Sequence, residues 1–158
     1  MGDLEAGYGG AMPQYWLKPL GVTQPHEPML NDWTAGADLD SYAFATGPAT
    51  HRQPPQMGPH DRVVFHAVIH VRVFAEGEIL GIPRWERDPV YNLRWPWVYR
   101  CRVDLLVPEI RQGVPTPDIA PKRALGRIQA GGDFASLSRE EYESIRDGLA
   151  AQPAARRR

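Results

Sequence analysis

The chain has little cysteine and no long apolar stretch. Cys101 is the single cysteine among 158 residues, which excludes an internal disulfide and fits a reducing cytoplasm. The N-terminal residues lack a basic region followed by an apolar run, so we expect no signal peptide. No apolar stretch has the length needed to cross a bilayer. We therefore expect a cytoplasmic protein with no membrane as a partner.

The chain also has little net charge. Its 18 basic and 19 acidic residues give a formal net charge of −1, which argues against a protein that coats nucleic acid through charge alone. If nucleic acid is the partner, recognition must be local and pocket-like. One cysteine cannot build a cysteine-rich zinc site, and His66 and His70 occur without an HExxH motif. The sequence therefore predicts neither a metal nor a cofactor.

Proline, by contrast, is abundant. The 16 prolines and 15 glycines indicate many short elements joined by turns rather than long helices. A length of 158 residues favours one domain with a real core. We expect a flexible N-terminus over residues 1–13, a single domain over residues 14–150 and a disordered basic tail over residues 151–158.

Several segments have the composition of strands. Residues 14–18 form a short first strand that we expect to stop at Pro19, and residues 61–68 are rich in β-branched side chains. Another strand is expected over residues 72–82, with a kink near Gly77. These segments predict a sheet of short strands.

A longer strand and a last short strand follow. Residues 97–107 alternate with a period of two, as in a half-buried strand. The residues expected on its buried face are Trp97, Tyr99, Cys101, Val103 and Leu105. Residues 125–130 are interpreted as the last short strand.

Helical signals are few. One or two helical turns are expected within residues 37–45, and residues 138–150 give the clearest helix. Ser138 is followed three residues later by Glu141, which predicts a capping box. Together these elements predict an α+β fold: a curled mixed β-barrel with a few short helices and a C-terminal helix.

The segment of residues 84–102 combines aromatic rings with positive charge. It holds three of the five tryptophans, and five arginines stand against two acids, so it carries 5 − 2 = +3. Cations attract a phosphate backbone, and flat rings stack on bases. The alternative interpretation is a strand with core aromatics on one face and solvated arginines on the other.

Four motifs follow one another within residues 14–150. They are Tyr15-Trp16-Leu17, Asn31-Asp32-Trp33, Asp61-Arg62-Val63-Val64-Phe65 and Leu137-Ser138-Arg139-Glu140-Glu141-Tyr142. In this order the chain resembles an EVE domain, a branch of the PUA-like superfamily that also includes YTH and ASCH domains. The resemblance implies a PUA-like barrel over nearly the whole chain.

The resemblance also implies a function. PUA-like domains are associated with binding RNA or modified bases, so we expect a non-catalytic reader that holds a modified, for example methylated, base of a nucleic acid in an aromatic pocket. Trp33 and Trp85 would be the pocket walls, and Tyr15 is favoured over Trp16 as a further pocket residue. The polar edge of the base would meet Asn31, Asp32 and Thr34. The expected phosphate contacts are Arg84, Arg87 and Arg94.

Other interpretations remain open. ASCH relatives include amidohydrolases that use a lysine and a glutamate in the pocket, and here Lys18 with Glu78 would be that pair, acting on a modified nucleoside. A third possibility is an interaction module without a small ligand. For Trp33 the structural alternative is a core residue that anchors a long loop. The sequence does not decide between DNA and RNA, and for the oligomeric state a monomer is the default expectation.

Overall fold

The computed structural model describes residues 12–20, 42–46, 53–85 and 96–157. Within these ranges one mixed sheet curls into a half-barrel, with a few short helices beside it. The fold class expected from the sequence is therefore confirmed. None of the helices in these ranges has the length and the apolar composition needed to span a bilayer.

Nine strands within the described ranges form the sheet. They are β1 Tyr15–Leu20, β2 Tyr42–Thr46, β3 Arg62–Ala67, β4 Arg72–Ile79, β5 Arg84–Trp85, β6 Trp97–Leu106, β7 Val114–Pro115, β8 Ala135–Leu137 and β9 Arg156–Arg157. The spatial order is β2-β6-β4-β3-β1-β8, while β5 and β9 pair with β6 and β7 pairs with β4. β1 and β3 run parallel, and β3, β4 and β6 are successively antiparallel.

Three α-helices within the described residues accompany the sheet. They are α1 Thr116–Ile119, α2 Lys122–Gln129 and α3 Arg139–Ala150. The start of α3 is the predicted capping box. The Glu141 N–H donates to the Ser138 hydroxyl at 3.1 Å, and the Ser138 N–H donates to the Glu141 carboxylate at 2.8 Å. Both bonds satisfy amides that have no partner within the helix.

The first strand does not stop at Pro19, as the sequence suggested. β1 continues to Leu20, with Pro19 opposite His66 in the parallel pairing with β3. Arg62 and Val68 donate their amides to the carbonyls of residues 14 and 20, so the even-numbered residues of β1 bond to β3. The nitrogen of Pro19 therefore faces the other side, where the pairing with β8 has already ended, and its missing N–H breaks no ladder bond.

Residues 125–130 do not form the last strand that we expected. Most of this segment belongs to α2, and the last strand along this edge of the sheet is β8. α2 has Pro121 as its N-cap and Ala124 as its single buried residue. Ile128 follows Ala124 at the helical spacing of four residues and packs against the core, so the segment carries a short helical pattern that the strand interpretation missed.

Two further expectations differ from the structure. Residues 42–46 form β2, paired with β6, where one or two helical turns were expected within residues 37–45. Residues 37–41 lie outside the described ranges. In the basic tail Arg156–Arg157 pair with Leu105 and Leu106, so the structure gives this segment a place at the sheet instead of disorder.

The kink expected near Gly77 is a bulge. The register between β4 and β6 shifts between Glu76 and Gly77. A Cβ atom added to Gly77 would lie 2.2 Å from the carbonyl oxygen of Arg102. Glycine is required at this position because the neighbouring backbone occupies the space of a side chain.

The two faces of the sheet have different surroundings. Tyr15, Arg62, Glu78 and Arg102 pair in register across four strands and therefore share one face. Tyr142 of α3 packs on Tyr15 there, with ring centroids 4.9 Å apart. We name this side the helix face. The adjacent row lies on the other side, which we name the opposite face: Trp16, Val63, Gly77 and Val103.

Candidate functional site

Two tryptophans form a ring pair at the beginning of β6. β5 places Trp85 directly opposite Trp97, and their ring centroids are 5.1 Å apart with the planes at 80°. Trp97 is 6% exposed, whereas Trp85 is 36% exposed. The buried indole thus fixes the orientation of an indole that still reaches solvent, in the edge-to-face geometry that aromatic pairs prefer. The sequence predicted both environments correctly.

Arg84 lies beside this ring pair. It is exposed and pairs in register with Val98, one residue along β6 from Trp97. Because consecutive residues of a strand point to opposite faces, the side chain of Arg84 lies on the helix face and the indole of Trp85 on the opposite face. The role of Arg84 as a phosphate contact stays a prediction.

Thr46 extends the same row on the other side of β6. It stands opposite Trp97 in the pairing of β2 with β6, and its side chain is fully buried. Among the described residues, no group forms a hydrogen bond with its Oγ1 atom. A buried hydroxyl without a partner costs about 1–3 kcal/mol, so the position is unusual for a residue that serves packing alone. No pattern in the sequence indicated this position.

Tyr15 does not join Trp85 in one pocket, as we had expected. Tyr15 is in register with Arg102 across the sheet, and Arg102 and Trp97 are five residues apart on β6. An odd separation on a strand means opposite faces, so Tyr15 lies on the helix face and Trp85 on the opposite face. The alternation along β1 separated Tyr15 from Trp16 correctly, but it could not show which of the two shares a face with Trp85.

The remaining predicted contacts lie outside the described residues. This holds for the second wall Trp33 and for two of the expected phosphate contacts, Arg87 and Arg94. It also holds for the polar residues expected at the edge of the base: Asn31, Asp32 and Thr34.

Lys18 and Glu78 do not form a catalytic pair. Lys18 is in register with Phe65 and then Ala75, whereas Glu78 is in register with Arg62. Lys18 therefore lies on the opposite face and Glu78 on the helix face, with the sheet between them. Glu78 instead contacts Arg62 at 3.6 Å and Arg102 at 3.8 Å. The alternative amidohydrolase pair is thus wrong as a pair.

A buried charge network occupies the helix face. Glu76 is 2% exposed, and both the guanidinium of Arg62 and the hydroxyl of Tyr142 donate to its Oε1 atom. Arg62 also donates to the Tyr142 hydroxyl at 3.1 Å and approaches Asp104 at 3.0 Å. The sequence did not reveal this network, because its members come from β3, β4, β6 and α3.

The titration behaviour of this network indicates a structural role. Burial disfavours the charge of Arg62, but the hydrogen bonds and charges of Tyr142 and Glu76 outweigh it and raise the pKa of Arg62. Burial and the charge of Glu76 raise the pKa of Tyr142. Arg62 thus stays cationic and Tyr142 neutral around pH 7. Neither of these two groups is suited to exchange a proton there, as acid–base catalysis requires.

Comparison with known proteins supports the fold. No model of a protein family matches the chain, and no curated protein matches it in sequence. Rpa0253 from Rhodopseudomonas palustris has a similar structure, with a TM-score of 0.55 and 14% identity over 87% of this chain and 93% of that one. A hypothetical protein from Leishmania major has a TM-score of 0.57 and 14% identity, over 89% of this chain and 97% of that one. Atu2648 from Agrobacterium tumefaciens has a TM-score of 0.52 and 17% identity, over 89% of this chain and 97% of that one. At these identities the likeness is one of fold.

Proposed function

We propose that this protein is a non-catalytic reader that binds a modified base of a nucleic acid, with Trp85 as a stacking surface. The observation that carries the proposal is the ring pair: Trp85 remains 36% exposed while Trp97, 6% exposed, fixes its edge. An indole held in one orientation loses little conformational freedom when a base stacks on it. Stacking of one base on an aromatic side chain is worth about 1–3 kcal/mol.

The charges near the ring pair suit a nucleic acid. Arg84 precedes Trp85 in β5, and Arg100 is exposed on β6, so both guanidinium groups lie near the edge strand of Trp85 but on the helix face. Because the chain as a whole carries −1, attraction of a phosphate backbone must come from such a local patch. We therefore expect modest affinity that falls as the salt concentration rises. The single buried Cys101 suits a reducing cytoplasm, and we expect the protein to act there as a monomer.

The two competing functions differ in what they require. An amidohydrolase would need Lys18 and Glu78 in one pocket, but the sheet separates them. An interaction module would bind a protein partner and show no preference for a modified base. We favour the reader because a partly exposed indole of fixed orientation suits the stacking of a base better than it suits either alternative.

Binding assays on variants of Trp85 test the proposal. We would titrate the protein with short DNA and RNA oligonucleotides that differ only in the methylation of one base. Trp85→Ala removes the stacking surface, and Trp85→Phe retains a smaller one. Ile69→Ala is the matched control, because Ile69 is 63% exposed and lies in the turn between β3 and β4, far along the sheet from β5.

The reader account makes a graded prediction for these variants. Trp85→Ala should bind the methylated oligonucleotide about ten- to hundred-fold more weakly than wild type, with Trp85→Phe in between and Ile69→Ala unchanged. If wild type binds no oligonucleotide, or if Trp85→Ala binds as wild type does, Trp85 is not the stacking surface and the proposal fails.

A further inference from the structure

Lys18 is a buried cation with little compensation. Its side chain is 5% exposed, and it lies on the opposite face of β1, two residues from Trp16. The Nζ atom donates one hydrogen bond, to the backbone carbonyl of Asp133 at 3.0 Å. Within the described part of the chain, no carboxylate lies within ion-pair distance of this ammonium. An ammonium has three donors, so two of them have no protein acceptor there.

This arrangement is costly for the folded protein. Burial lowers the pKa of Lys18 to about 8, and the nearby charge of Asp133 offsets this only in part. A buried charge that lacks a paired and hydrogen-bonded partner destabilises a protein, and an apolar side chain of similar size is often neutral or better at such a position. Packing alone therefore gives no reason for a lysine at residue 18.

The surroundings of Lys18 are well fixed. Trp16 donates its indole N–H to Asp61 at 2.9 Å, and its ring meets Phe134 at 5.1 Å with the planes at 88°. The amide of Gly132 donates to Arg127 at 3.0 Å, which ties the segment before Asp133 to the end of α2. Trp16 and the segment before Asp133 are thus held in place by contacts that do not involve the Lys18 ammonium.

We infer that Lys18 forms an anion-binding site, in which its two remaining donors bind a negatively charged oxygen of a phosphate or carboxylate group. Trp16 shares the face of Lys18 two residues earlier in β1, and Phe134, whose ring meets Trp16, directly follows Asp133. These nearby rings suit a ligand with an apolar or planar part next to its anionic group. A bound anion would supply the charge and the acceptors that the described protein groups do not supply.

This site is separate from the ring pair. The row of Lys18 continues through Phe65 and Ala75 to Leu106, at the end of β6, whereas Trp85 pairs with Trp97 at its beginning. Nine residues along a strand correspond to about 30 Å. The inference therefore does not depend on base stacking at Trp85, and either can fail without the other.

The small number of lysines allows a direct test. Lys18 and Lys122 are the two lysines of the chain, and Lys122 is exposed. In protein labelled with 13C-lysine, NMR spectra should therefore show two Cε signals, which Lys122→Arg assigns. We would record a pH titration of both signals in sodium chloride and repeat it at matched ionic strength with sulfate, with acetate and with a short oligonucleotide. Sulfate stands in for phosphate because it does not titrate near pH 8.

An anion site predicts a selective response. At least one of the three probes should shift the titration of Lys18 to higher pH, because a bound anion favours the ammonium, while Lys122 moves little. A response to sulfate or acetate identifies a small anionic ligand, and a response to the oligonucleotide alone identifies a backbone phosphate. The inference is wrong if no probe shifts the titration of Lys18 at a concentration that leaves the titration of Lys122 unchanged. It is also wrong if the titrations of both lysines shift equally.

A substitution provides the second readout. Lys18→Met removes the charge and retains the apolar stem, so the variant should melt at the same temperature as wild type or higher. The amide signals of residues 132–134 should respond to the active probe in wild type and not in Lys18→Met. Lys122→Met, which removes the exposed charge, should respond as wild type does. If Lys18→Met keeps the response, Lys18 does not bind the anion.

Discussion

The exposed indole of Trp85 packs edge-to-face against the buried indole of Trp97, with the ring centroids 5.1 Å apart and the planes nearly perpendicular. The two residues are direct partners across β5 and β6, yet they differ in burial. This difference assigns packing to Trp97, whereas part of the Trp85 side chain stays in contact with solvent. It also separates the consequences of removing each ring.

Removing the two indoles should have unequal effects on stability. Trp97→Ala should lower the free energy of unfolding by about 3–5 kcal/mol, as for other buried tryptophans. Trp85→Ala should lower it by about 0.5–1.5 kcal/mol, the usual contribution of an aromatic pair. Urea unfolding of both variants measures the difference. Equal losses would mean that Trp85 is a core residue.

The stability of the protein should depend strongly on Arg62, the partner of the buried Glu76 in the charge network on the helix face. Arg62→Met leaves the buried carboxylate of Glu76 without its guanidinium, and we expect a loss of about 3–5 kcal/mol in unfolding free energy. Arg102→Met is the matched control, since Arg102 is 47% exposed and its pair with Asp104 should contribute less than about 1 kcal/mol. Chemical denaturation of both variants tests this, and similar losses would contradict the assigned burial.

His66 should make stability depend on pH in the acidic range. It is buried beside Thr116, with Nδ1 and Oγ1 2.5 Å apart, and burial lowers its pKa from 6.5 to about 4. The unfolded chain takes up a proton at His66 below about pH 6.5, while the folded chain does so near pH 4. The stability contribution is therefore complete above pH 6.5 and is lost as the pH falls toward 4, in total by about 3 kcal/mol.

Substitution of His66 isolates its contribution to the pH dependence of the free energy of unfolding. His66→Gln should lose about 3 kcal/mol less than wild type between pH 7 and pH 4, because glutamine does not titrate. His70→Gln should follow wild type, since His70 is exposed in the turn after β3. Denaturation curves recorded across this pH range supply the comparison. Parallel pH profiles for wild type and His66→Gln would refute the buried neutral histidine.

The turn between β3 and β4 contains a strained residue. Val71 has a φ of 53°, a conformation that costs an L-residue about 1–2 kcal/mol and that a β-branched side chain rarely adopts. Val71→Asn should therefore raise the unfolding free energy by about 1 kcal/mol, because asparagine tolerates this region. Val68→Asn, in the same turn at similar exposure, should give no such gain. A stability loss in Val71→Asn would mean that the side chain of Val71 contributes more than its strain costs.

Local patterns predicted the fold well where they were strong. The alternation along β6 identified its buried residues, and the pair Ser138 and Glu141 identified the start of α3. The signal was short for α2, where Ala124 and Ile128 pack on the core at helical spacing, and the segment was interpreted as a strand. Face assignment also failed from sequence alone, because nothing in β1 shows that Trp16, and not Tyr15, shares a face with Trp85.

The candidate sites were harder to predict than the fold. The Glu76 network joins residues 62, 76 and 142, which the register and the packing of α3 bring together. Thr46 lies opposite Trp97 only through the pairing of β2 with β6. Such relationships depend on pairing across the sheet, which single-sequence patterns do not encode. The composition of residues 84–102 indicated an aromatic, positively charged segment, but it did not predict that Trp85 packs on Trp97.

The most direct test of base stacking is to observe the indole of Trp85 during binding. The five tryptophans should give five indole N–H signals in a 15N NMR spectrum, and Trp85→Phe and Trp16→Phe assign two of them. On addition of an oligonucleotide with a methylated base, we predict that the Trp85 signal shifts, whether or not the Trp16 signal near Lys18 also responds. An oligonucleotide that binds without moving the Trp85 signal would contradict the account.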